Sequence, residues 1–270
     1  MRMVRLGRTG EKISVLGQGT WGLNSGNAEQ FKESLRTGID LGMTHIDTAE
    51  VYGWGAAEKA VGEVVSQYDR DELFITTKIF PMHLSYEGSK RAFYNSLKRL
   101  RLKNLDLYLV HWPIPFTIKK LMRVLEELVD EGRVRHIGVS NFSVEQFKKA
   151  QSYLKKYELV NNQLKANLQH QVHIRESLPF YKEEGVTITA YSPLGHSGFT
   201  NLKGALREKL EKVAKNHKAT IQQIAIAWLI NHENVIAIPK ALKIEHVEAN
   251  AKAADIKLKK EEIDLLLIES

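Results

Sequence analysis

The sequence predicts an α/β protein, a single (β/α)8 (TIM) barrel over residues 1–270 with an N-terminal β-hairpin that caps the barrel floor. Short apolar runs with strand character alternate with longer segments of helical periodicity, and there are eight such runs. The length of 270 residues also suits this barrel, which typically needs about 250 residues. No linker, low-complexity tract or charge block divides the chain, so one domain is expected.

The first predicted element is the hairpin, because residues 4–16 do not fit the repeat and turn at Thr9–Gly10. The eight predicted strands lie at residues 14–20, 43–48, 73–78, 105–112, 134–140, 160–165, 187–192 and 235–240. The sixth run, VNNQLK, is the least strand-like because it contains few β-branched residues.

Predicted helices lie between the strands. The clearest segments with helical periodicity cover residues 28–42, 56–68 and 117–132. Two further helices begin after capping-box pairs, Ser143 with Gln146 and Thr220 with Gln223. This alternation of strands and helices is typical of parallel βα units.

One local motif favours a different fold. Gly17, Gly19 and Gly22 match the GxGxxG pattern of dinucleotide-binding sheets. In that fold the third glycine lies within the following helix, whereas here Trp21 occupies the turn and a polar stretch precedes the next helix. Such a sheet would also have about six strands rather than eight. The barrel is therefore the better prediction.

The composition limits the classes of function. A hydrophobic content of 43%, with 8% aromatic residues, is enough for a sizeable core and excludes wholesale disorder. The chain contains no cysteine, which excludes disulfides, thiol nucleophiles and cysteine-ligated metals. His170 and His173 lie close together but lack a third ligand, so no metal site is expected.

The net charge of +7 arises from 39 Lys+Arg against 32 Asp+Glu. Basic and acidic residues are interspersed, as in RDEL at 70–73, so we expect attraction of small anions rather than nucleic-acid binding. The N-terminus has no secretory signal, and no stretch approaches the ~20 apolar residues of a membrane span. We therefore expect a cytoplasmic protein that does not bind membranes.

Polar side chains stand at the C-terminal ends of seven predicted strands. They are Asp47, Lys78, His111, Ser140 with Asn141, Gln163, Tyr191 with Ser192, and Lys240. In barrel enzymes these strand ends face the active site, whereas the rest of each strand packs. One polar strand end is ordinary, but seven in succession indicate a polar ligand site.

Asp47, Lys78 and His111 end three neighbouring strands, which places them within roughly 10 Å of one another at a strand spacing of about 4.8 Å. Tyr52 follows in the loop after Asp47 and can fold back over the same mouth. A tyrosine hydroxyl has a pKa near 10, and an adjacent ammonium such as that of Lys78 lowers this pKa. Asp47 would hold Lys78 charged, and His111 could donate to the oxygen that Tyr52 protonates. Together these four residues can deliver a proton to a carbonyl oxygen. The hydride that must reach the carbonyl carbon requires a nicotinamide cofactor.

Three segments resemble the signature regions of the aldo-keto reductase family: THIDTAEVYG…E at 44–58, SLKRLRLKNLDLYLVHWP at 96–113 and IPKALKIEHVEANAKA at 238–253. The resemblance runs in order from the opening hairpin to the last helix. It implies a tetrad of Asp47, Tyr52, Lys78 and His111. In this tetrad Tyr52 is the general acid for NAD(P)H-dependent reduction of aldehydes and ketones, a reaction that is reversible with alcohols.

The resemblance also implies residues for the cofactor and the substrate. The cofactor residues are Ser140, Asn141 and Gln163 at the nicotinamide carboxamide, Tyr191 against the nicotinamide ring, Ser192 and Leu194 along the pyrophosphate, Lys240 and His246 at the 2′-phosphate, and Asn250 at the adenine. Trp21 and Trp112 match aromatic residues of the substrate pocket, and Trp54 in the Tyr52 loop joins them.

The sequence departs from the family pattern at several positions. Ala241 replaces a small hydroxyl residue and His246 an arginine that NADPH-preferring members commonly have, and Lys165 replaces an acidic residue in the sixth-strand loop. The first two changes weaken recognition of the 2′-phosphate, although a protonated His246 and nearby Lys243 can contribute. We expect NADP(H) as the preferred cofactor, with NAD(H) as the alternative. Because the sequence stops at Ser270 without the C-terminal loop of longer members, an open substrate site is also expected.

The predicted function is that of a monomeric reductase acting on small-molecule carbonyl substrates. The alternative is a nicotinamide-binding regulatory or interaction subunit with little turnover, because some relatives of the family act chiefly as partners of other proteins. The intact tetrad favours the enzyme. Turnover of a simple aldehyde distinguishes the two functions.

Overall fold

The computed structural model describes residues 1–24, 26–83, 85–195 and 198–268, so Ser270, at which the predicted domain ends, lies outside the described residues.

An antiparallel hairpin opens the chain. Strands β1 (Met3–Arg5) and β2 (Lys12–Ser14) pair with each other. Between them the N–H of Gly7 donates to Thr187 Oγ1 at 2.8 Å, and Thr187 begins a barrel strand. The hairpin therefore covers the barrel end at which the strands begin, as predicted.

Parallel strands form the barrel. They are β3 (Gly17–Gly19), β4 (His45–Asp47), β5 (Phe74–Ile79), β6 (Leu105–Val110), β7 (Val134–Ser140), β8 (Leu159–Lys165), β9 (Thr187–Tyr191) and β10 (Val235–Ala237). Neighbours in the chain are neighbours in the sheet, and a parallel bridge between Leu16 and Ala237 links the last strand to the start of the first. The predicted (β/α)8 barrel is confirmed, and the sixth apolar run supplies a strand of seven residues.

The apolar run at 14–20, predicted as one strand, is two elements. Val15 explains the break. Its N–H donates to the carbonyl of Arg2 in the hairpin at 3.0 Å, whereas its carbonyl accepts from the N–H of Ala237 in β10 at 3.1 Å. Because this residue bonds to both sheets, the chain passes from hairpin to barrel here, and the prediction of a single strand is wrong.

Helices surround the barrel. Within the described ranges they are α1 (Ala28–Asp40), α2 (Ala56–Val65), α3 (Tyr86–Leu100), α4 (Pro115–Asp130), α5 (Val144–Gln151), α6 (Leu178–Glu183), α7 (Ala205–Asn216), α8 (Ile221–Ile230), α9 (Ile244–Ala253) and α10 (Lys260–Leu265). Both predicted capping boxes are present, at the starts of α5 and α8. No helix of the described residues is long and apolar enough to cross a membrane.

Strand β5 directs neighbouring side chains to opposite sides of the barrel wall. Thr77 donates to Glu58 on α2 at 2.6 Å, outside the barrel. Because successive strand residues point to opposite faces, the next residue, Lys78, points into the barrel, where it is 0% exposed. The alternation of β5 thus carries an amine into the barrel, on the same face of the strand as Thr76.

Candidate active site

Four predicted catalytic side chains meet at the C-terminal end of the barrel. Lys78 Nζ donates to Asp47 Oδ1 at 2.6 Å and to the hydroxyl oxygen of Tyr52 at 3.3 Å. A third bond runs from Lys78 Nζ to the carbonyl of Thr48 at 2.8 Å. The ring of His111 contacts the ring of Tyr52 edge-on, with 5.8 Å between centroids. Lys78 is therefore the central member of the group.

The sheet register explains why Asp47 and Lys78 meet. Asp47, the last residue of β4, pairs with Thr76 of β5. Lys78 lies two residues beyond Thr76 and on the same face, because strand side chains repeat every second residue. The ammonium can therefore reach back across the strand boundary to the carboxylate.

The loop after β4 brings Tyr52 over this pair. Immediately after Tyr52, Gly53, Trp54 and Gly55 all have positive φ, at 56°, 51° and 90°. Glycine adopts this left-handed conformation without steric cost, whereas Trp54 is an unusual residue there. The sharp turn lets α2 begin at Ala56 and leaves the Tyr52 side chain directed at Lys78.

Lys78 keeps its charge inside the barrel. Burial lowers the pKa of Lys78, but the attraction of Asp47 and of Tyr52 outweighs it and raises that pKa above its ordinary value of 10.5. The amine is thus an ammonium at neutral pH. An unpaired buried ammonium would be costly, so Asp47 is what allows the cation to remain.

The pKa of Tyr52 differs from the sequence-based expectation. Burial raises the pKa of Tyr52 above 10.0, Lys78 opposes this shift, and Asp47 adds to it. The expected net lowering by the ammonium is therefore wrong for this structure, because removing the phenolate from water outweighs the attraction of one cation that is itself paired. Tyr52 is a neutral phenol at neutral pH and can donate a proton. The ammonium stabilises the phenolate that remains after the proton leaves.

His111 is neutral and held by an aromatic neighbour. Burial, together with the positive charge of Lys78, lowers the pKa of His111 to about 2. Its ring stacks on that of Trp112, with 3.6 Å between centroids and 6° between planes. A neutral imidazole in a fixed orientation can donate one hydrogen bond but does not act as an acid at neutral pH.

Four predicted cofactor residues form a hydrogen-bonded chain beside the tetrad. They are Ser140, Asn141, Gln163 and Tyr191. The Tyr191 hydroxyl donates to Asn141 Oδ1 at 2.8 Å, and Ser140 Oγ donates to the Gln163 carbonyl at 3.0 Å. Gln163 Nε2 donates to Asp47 Oδ2 at 2.7 Å. This last bond, which the sequence did not predict, connects the amide groups to the carboxylate that holds Lys78.

The remaining predicted cofactor residues lie farther along the strand ends. Ser192 has a positive φ of 51°, and Leu194 packs at the edge of the core. Lys240 and His246 are exposed, and Asn250 on α9 is buried. Within the described part of the chain, Lys240 makes no ion pair, and its Nζ lies 5.8 Å from the ring centre of Phe31. An exposed cation without an acidic partner suits an anionic group such as a phosphate.

The three predicted substrate tryptophans differ in their surroundings. Trp112 is 37% exposed and stacks on His111, which places it directly against the tetrad. Trp21 is 60% exposed. Trp54 is 88% exposed and lines a cavity of about 490 Å³ with Phe80, His83 and residues of α3. Trp54 thus lies in one cavity with Phe80, and its role in the substrate site stays a prediction.

Two residues beside the tetrad were not predicted. Phe80 contacts Trp112 edge-on, with 6.0 Å between centroids, and Glu50 accepts a hydrogen bond from the backbone N–H of Phe80. Their positions in the sequence, close to predicted catalytic residues, could have indicated both. Glu50 lies between Asp47 and Tyr52, and Phe80 lies two residues after Lys78.

Comparisons with known proteins show the family to which the chain belongs. The sequence pattern of the Aldo/keto reductase family matches residues 15–267. Methylglyoxal reductase YeaE from Escherichia coli is 33% identical over 258 residues, covering 94% of this chain and 90% of that protein. Glyoxal reductase from Bacillus subtilis is 33% identical over 259 residues, covering 94% and 88%.

Solved structures are similar over nearly the whole chain. The thermostable aldo-keto reductase Tm1743, crystallised with the inhibitor epalrestat, has a TM-score of 0.93 and 42% identity, with 98% of each chain covered. An aldo/keto reductase from Klebsiella pneumoniae, crystallised with NADP and acetate, has a TM-score of 0.88 and 34% identity, with 96% of this chain and 92% of that chain covered. On sequence and structure together, this chain belongs to the aldo/keto reductase family.

Proposed function

We propose that the protein is a reductase of aldehydes and ketones that uses NADP(H), acts reversibly with alcohols, and functions as one domain over residues 1–270. The observation that carries this proposal is the position of the Lys78 ammonium, 3.3 Å from the Tyr52 hydroxyl and 2.6 Å from Asp47. A buried cation held beside a neutral phenol has no evident packing role. It suits transfer of a proton from that phenol.

The proposed chemistry assigns one role to each member of the tetrad. A bound nicotinamide supplies a hydride for the carbonyl carbon. Tyr52 gives its proton to the carbonyl oxygen, which yields the alcohol, and Lys78 stabilises the phenolate that is left. Asp47 keeps Lys78 charged and directed at Tyr52. Neutral His111 donates a hydrogen bond that orients the carbonyl oxygen.

The residues along the strand ends fit this cofactor. Ser140, Asn141 and Gln163 carry hydroxyl and amide groups suited to the neutral carboxamide, and Tyr191 offers a half-buried ring for stacking. Ser192 and Leu194 would lie along the pyrophosphate, and Asn250 at the adenine. The exposed cation of Lys240 suits the 2′-phosphate, and the Klebsiella relative was crystallised with NADP. NAD(H) is the alternative cofactor because His246 offers a weaker phosphate contact than arginine.

The proposed substrates are small carbonyl compounds. Trp112 stands against His111, and Phe80 contacts Trp112, so an apolar wall adjoins the proton donor. Trp21 would extend this wall. The names of two relatives, a methylglyoxal reductase and a glyoxal reductase, make these dicarbonyls suitable first substrates.

Turnover is the direct test of this function. With NADPH in excess and methylglyoxal or a simple aldehyde as substrate, we expect many equivalents of NADPH to be consumed per protein, measured as loss of NADPH absorbance. Binding of NADPH without turnover over a panel of aldehydes, ketones and ketosugars would contradict the proposal. That result would favour the alternative of a regulatory or interaction subunit.

The cofactor assignment makes its own prediction at His246. His246→Arg is expected to lower the Kd for NADPH about tenfold, because a guanidinium can bind the 2′-phosphate with two charge-assisted hydrogen bonds, and tenfold corresponds to about 1.4 kcal/mol. NADH, which lacks this phosphate, is the matched control, and its Kd is expected to change by less than about twofold. Fluorescence titration measures both values. An equal change for the two cofactors would exclude a phosphate contact at this position.

A further inference from the structure

Glu50 is a buried carboxylate that the proposed chemistry does not use. Its side chain is 11% exposed and accepts a hydrogen bond from the backbone N–H of Phe80. His83 Nε2 lies 3.1 Å from each carboxylate oxygen. The backbone N–H of Glu50 also donates to the carbonyl of Lys78 at 3.5 Å. Both the backbone and the side chain of Glu50 are therefore bonded to the end of β5.

These bonds lie between the segments that carry the proton donor, Tyr52, and the ammonium that stabilises its phenolate, Lys78. Glu50 lies two residues before Tyr52, and its partner Phe80 lies two residues after Lys78. One side chain thus ties the loop that carries the phenol to the strand that carries the ammonium. Lys78 Nζ and the Tyr52 hydroxyl, which lie on the two connected segments, are 3.3 Å apart.

On its other side, Tyr52 is held mainly by packing, because Gly53 lies directly against the carbonyl oxygen of Leu23 and the Tyr52 ring packs on a buried cluster that includes Leu23. The next three residues, Gly53, Trp54 and Gly55, have positive φ, and two of them are glycines, which have the widest choice of backbone conformation. Trp54 at φ 51° is 88% exposed, so burial does not fix its side chain. The segment that precedes Tyr52, by contrast, is held by directional hydrogen bonds from both the backbone and the side chain of Glu50.

His83 in turn holds the carboxylate in place. Its carbonyl accepts hydrogen bonds from Lys120 on α4 and from Ser89 Oγ on α3, the latter at 3.2 Å. Its ring packs edge-on against Phe80, with 6.4 Å between centroids. The backbone of His83 is thus held by both neighbouring helices, and its ring, packed against Phe80, can orient Glu50 toward the Phe80 N–H.

We propose that Glu50, oriented by His83, is a positioning residue that holds the Tyr52 hydroxyl within hydrogen-bond distance of the Lys78 ammonium. This inference rests on the proposed function, since it concerns the geometry of the same proton donor. Glu50 touches no reacting atom in this role. It acts through the backbone of the loop.

The test compares two variants of Glu50. Glu50→Ala removes the acceptor, and we expect kcat to fall by about 10- to 100-fold, because a misplacement of about 1 Å can cost about 10²-fold in rate. The Kd for NADPH is expected to stay within about twofold, since none of the proposed cofactor residues is altered. Glu50→Gln keeps an oxygen acceptor for the Phe80 N–H and is expected to retain kcat within about threefold.

A second readout separates positioning from general disruption. If proton transfer from Tyr52 becomes the slow step, the solvent deuterium isotope effect on kcat should be larger in Glu50→Ala than in the wild type. Glu58→Gln is the matched control, because Glu58 is a fully buried carboxylate that likewise accepts hydrogen bonds, from Thr77 and Arg99. This control is expected to lower Tm while leaving kcat and its isotope effect near the wild-type values.

Three results would overturn the inference: wild-type kcat in Glu50→Ala, a loss of kcat with an unchanged isotope effect, or an equal loss of kcat in Glu58→Gln. If Glu50→Ala does not fold, Glu50→Asp replaces it. Its carboxylate is one methylene closer to the backbone and cannot bond to both Phe80 and His83. We expect the same loss of kcat and increase in isotope effect, but smaller in size. Wild-type turnover is measured first. Its absence would reject the proposed function, whereas normal turnover in all variants would reject only the role of Glu50.

Discussion

Tyr52→Phe is expected to lower kcat by about 10²- to 10⁴-fold, the range that a positioned general acid contributes. The substitution removes only the hydroxyl that lies 3.3 Å from Lys78 Nζ. The ring remains, so its edge-on contact with His111 is kept. The Kd for NADPH should therefore stay within about twofold, because none of the proposed cofactor residues is altered. Steady-state kinetics and fluorescence titration measure the two quantities.

A second tyrosine provides the control for this variant. Tyr181 on α6 is also buried, and its hydroxyl accepts a hydrogen bond from Asn162 at 2.7 Å. Tyr181→Phe removes a buried hydroxyl outside the proposed catalytic group and is expected to leave kcat near the wild-type value. Near-wild-type kcat in Tyr52→Phe itself would reject Tyr52 as the proton donor.

Lys78→Met is expected to reduce kcat by at least about 10²-fold and also to destabilise the fold. Lys78 opposes the rise that burial causes in the pKa of Tyr52, so its loss raises that pKa further and leaves the phenolate unstabilised. The variant also leaves the Asp47 carboxylate, 1% exposed, without its cation. Removing one partner of a buried ion pair typically costs about 3–5 kcal/mol in unfolding free energy. Denaturant unfolding and steady-state kinetics measure the two effects.

A double variant separates stability from catalysis. In Asp47→Asn with Lys78→Met no buried charge is left unpaired, so much of the lost unfolding free energy should return. Activity should not return, because no ammonium faces Tyr52. Recovery of kcat in the double variant would show that Lys78 acts through stability alone.

The pH dependence of stability follows from the same pair. The pKa of Lys78 in the folded protein lies above its ordinary value of 10.5. A group with a raised pKa contributes stability that is fully present below its unfolded pKa and is lost as the pH rises through its folded pKa. The contribution of Lys78 should therefore be complete at neutral pH and decline only in strongly alkaline solution.

Much of the fold and the identity of the candidate catalytic residues could be predicted from the sequence. Segments with strand periodicity alternate with segments of helical periodicity along the chain. A parallel barrel places the C-terminal ends of all its strands on one face. Asp47, Lys78 and His111 could thus be assigned to one mouth before any contact was known. The capping pair of Ser143 and Gln146 was predictable for a similar reason, because its bonds join residues three positions apart.

Other features were decided only by the tertiary structure. The bond from Gln163 to Asp47 joins residues 116 positions apart, and the role of Val15 depends on where β10 closes the barrel. The anchoring of Glu50 to Phe80 likewise depends on how the β4 loop lies across β5.

The barrel and the types of residue at its mouth could be predicted from the sequence, because the periodicity of each segment and the succession of segments are visible along the chain. The direction in which the pKa of Tyr52 shifts depends on the folded structure. That direction is a balance between lost hydration and the nearby charges of Lys78 and Asp47. Both contributions depend on distance and burial in three dimensions, which residue types and their spacing do not specify.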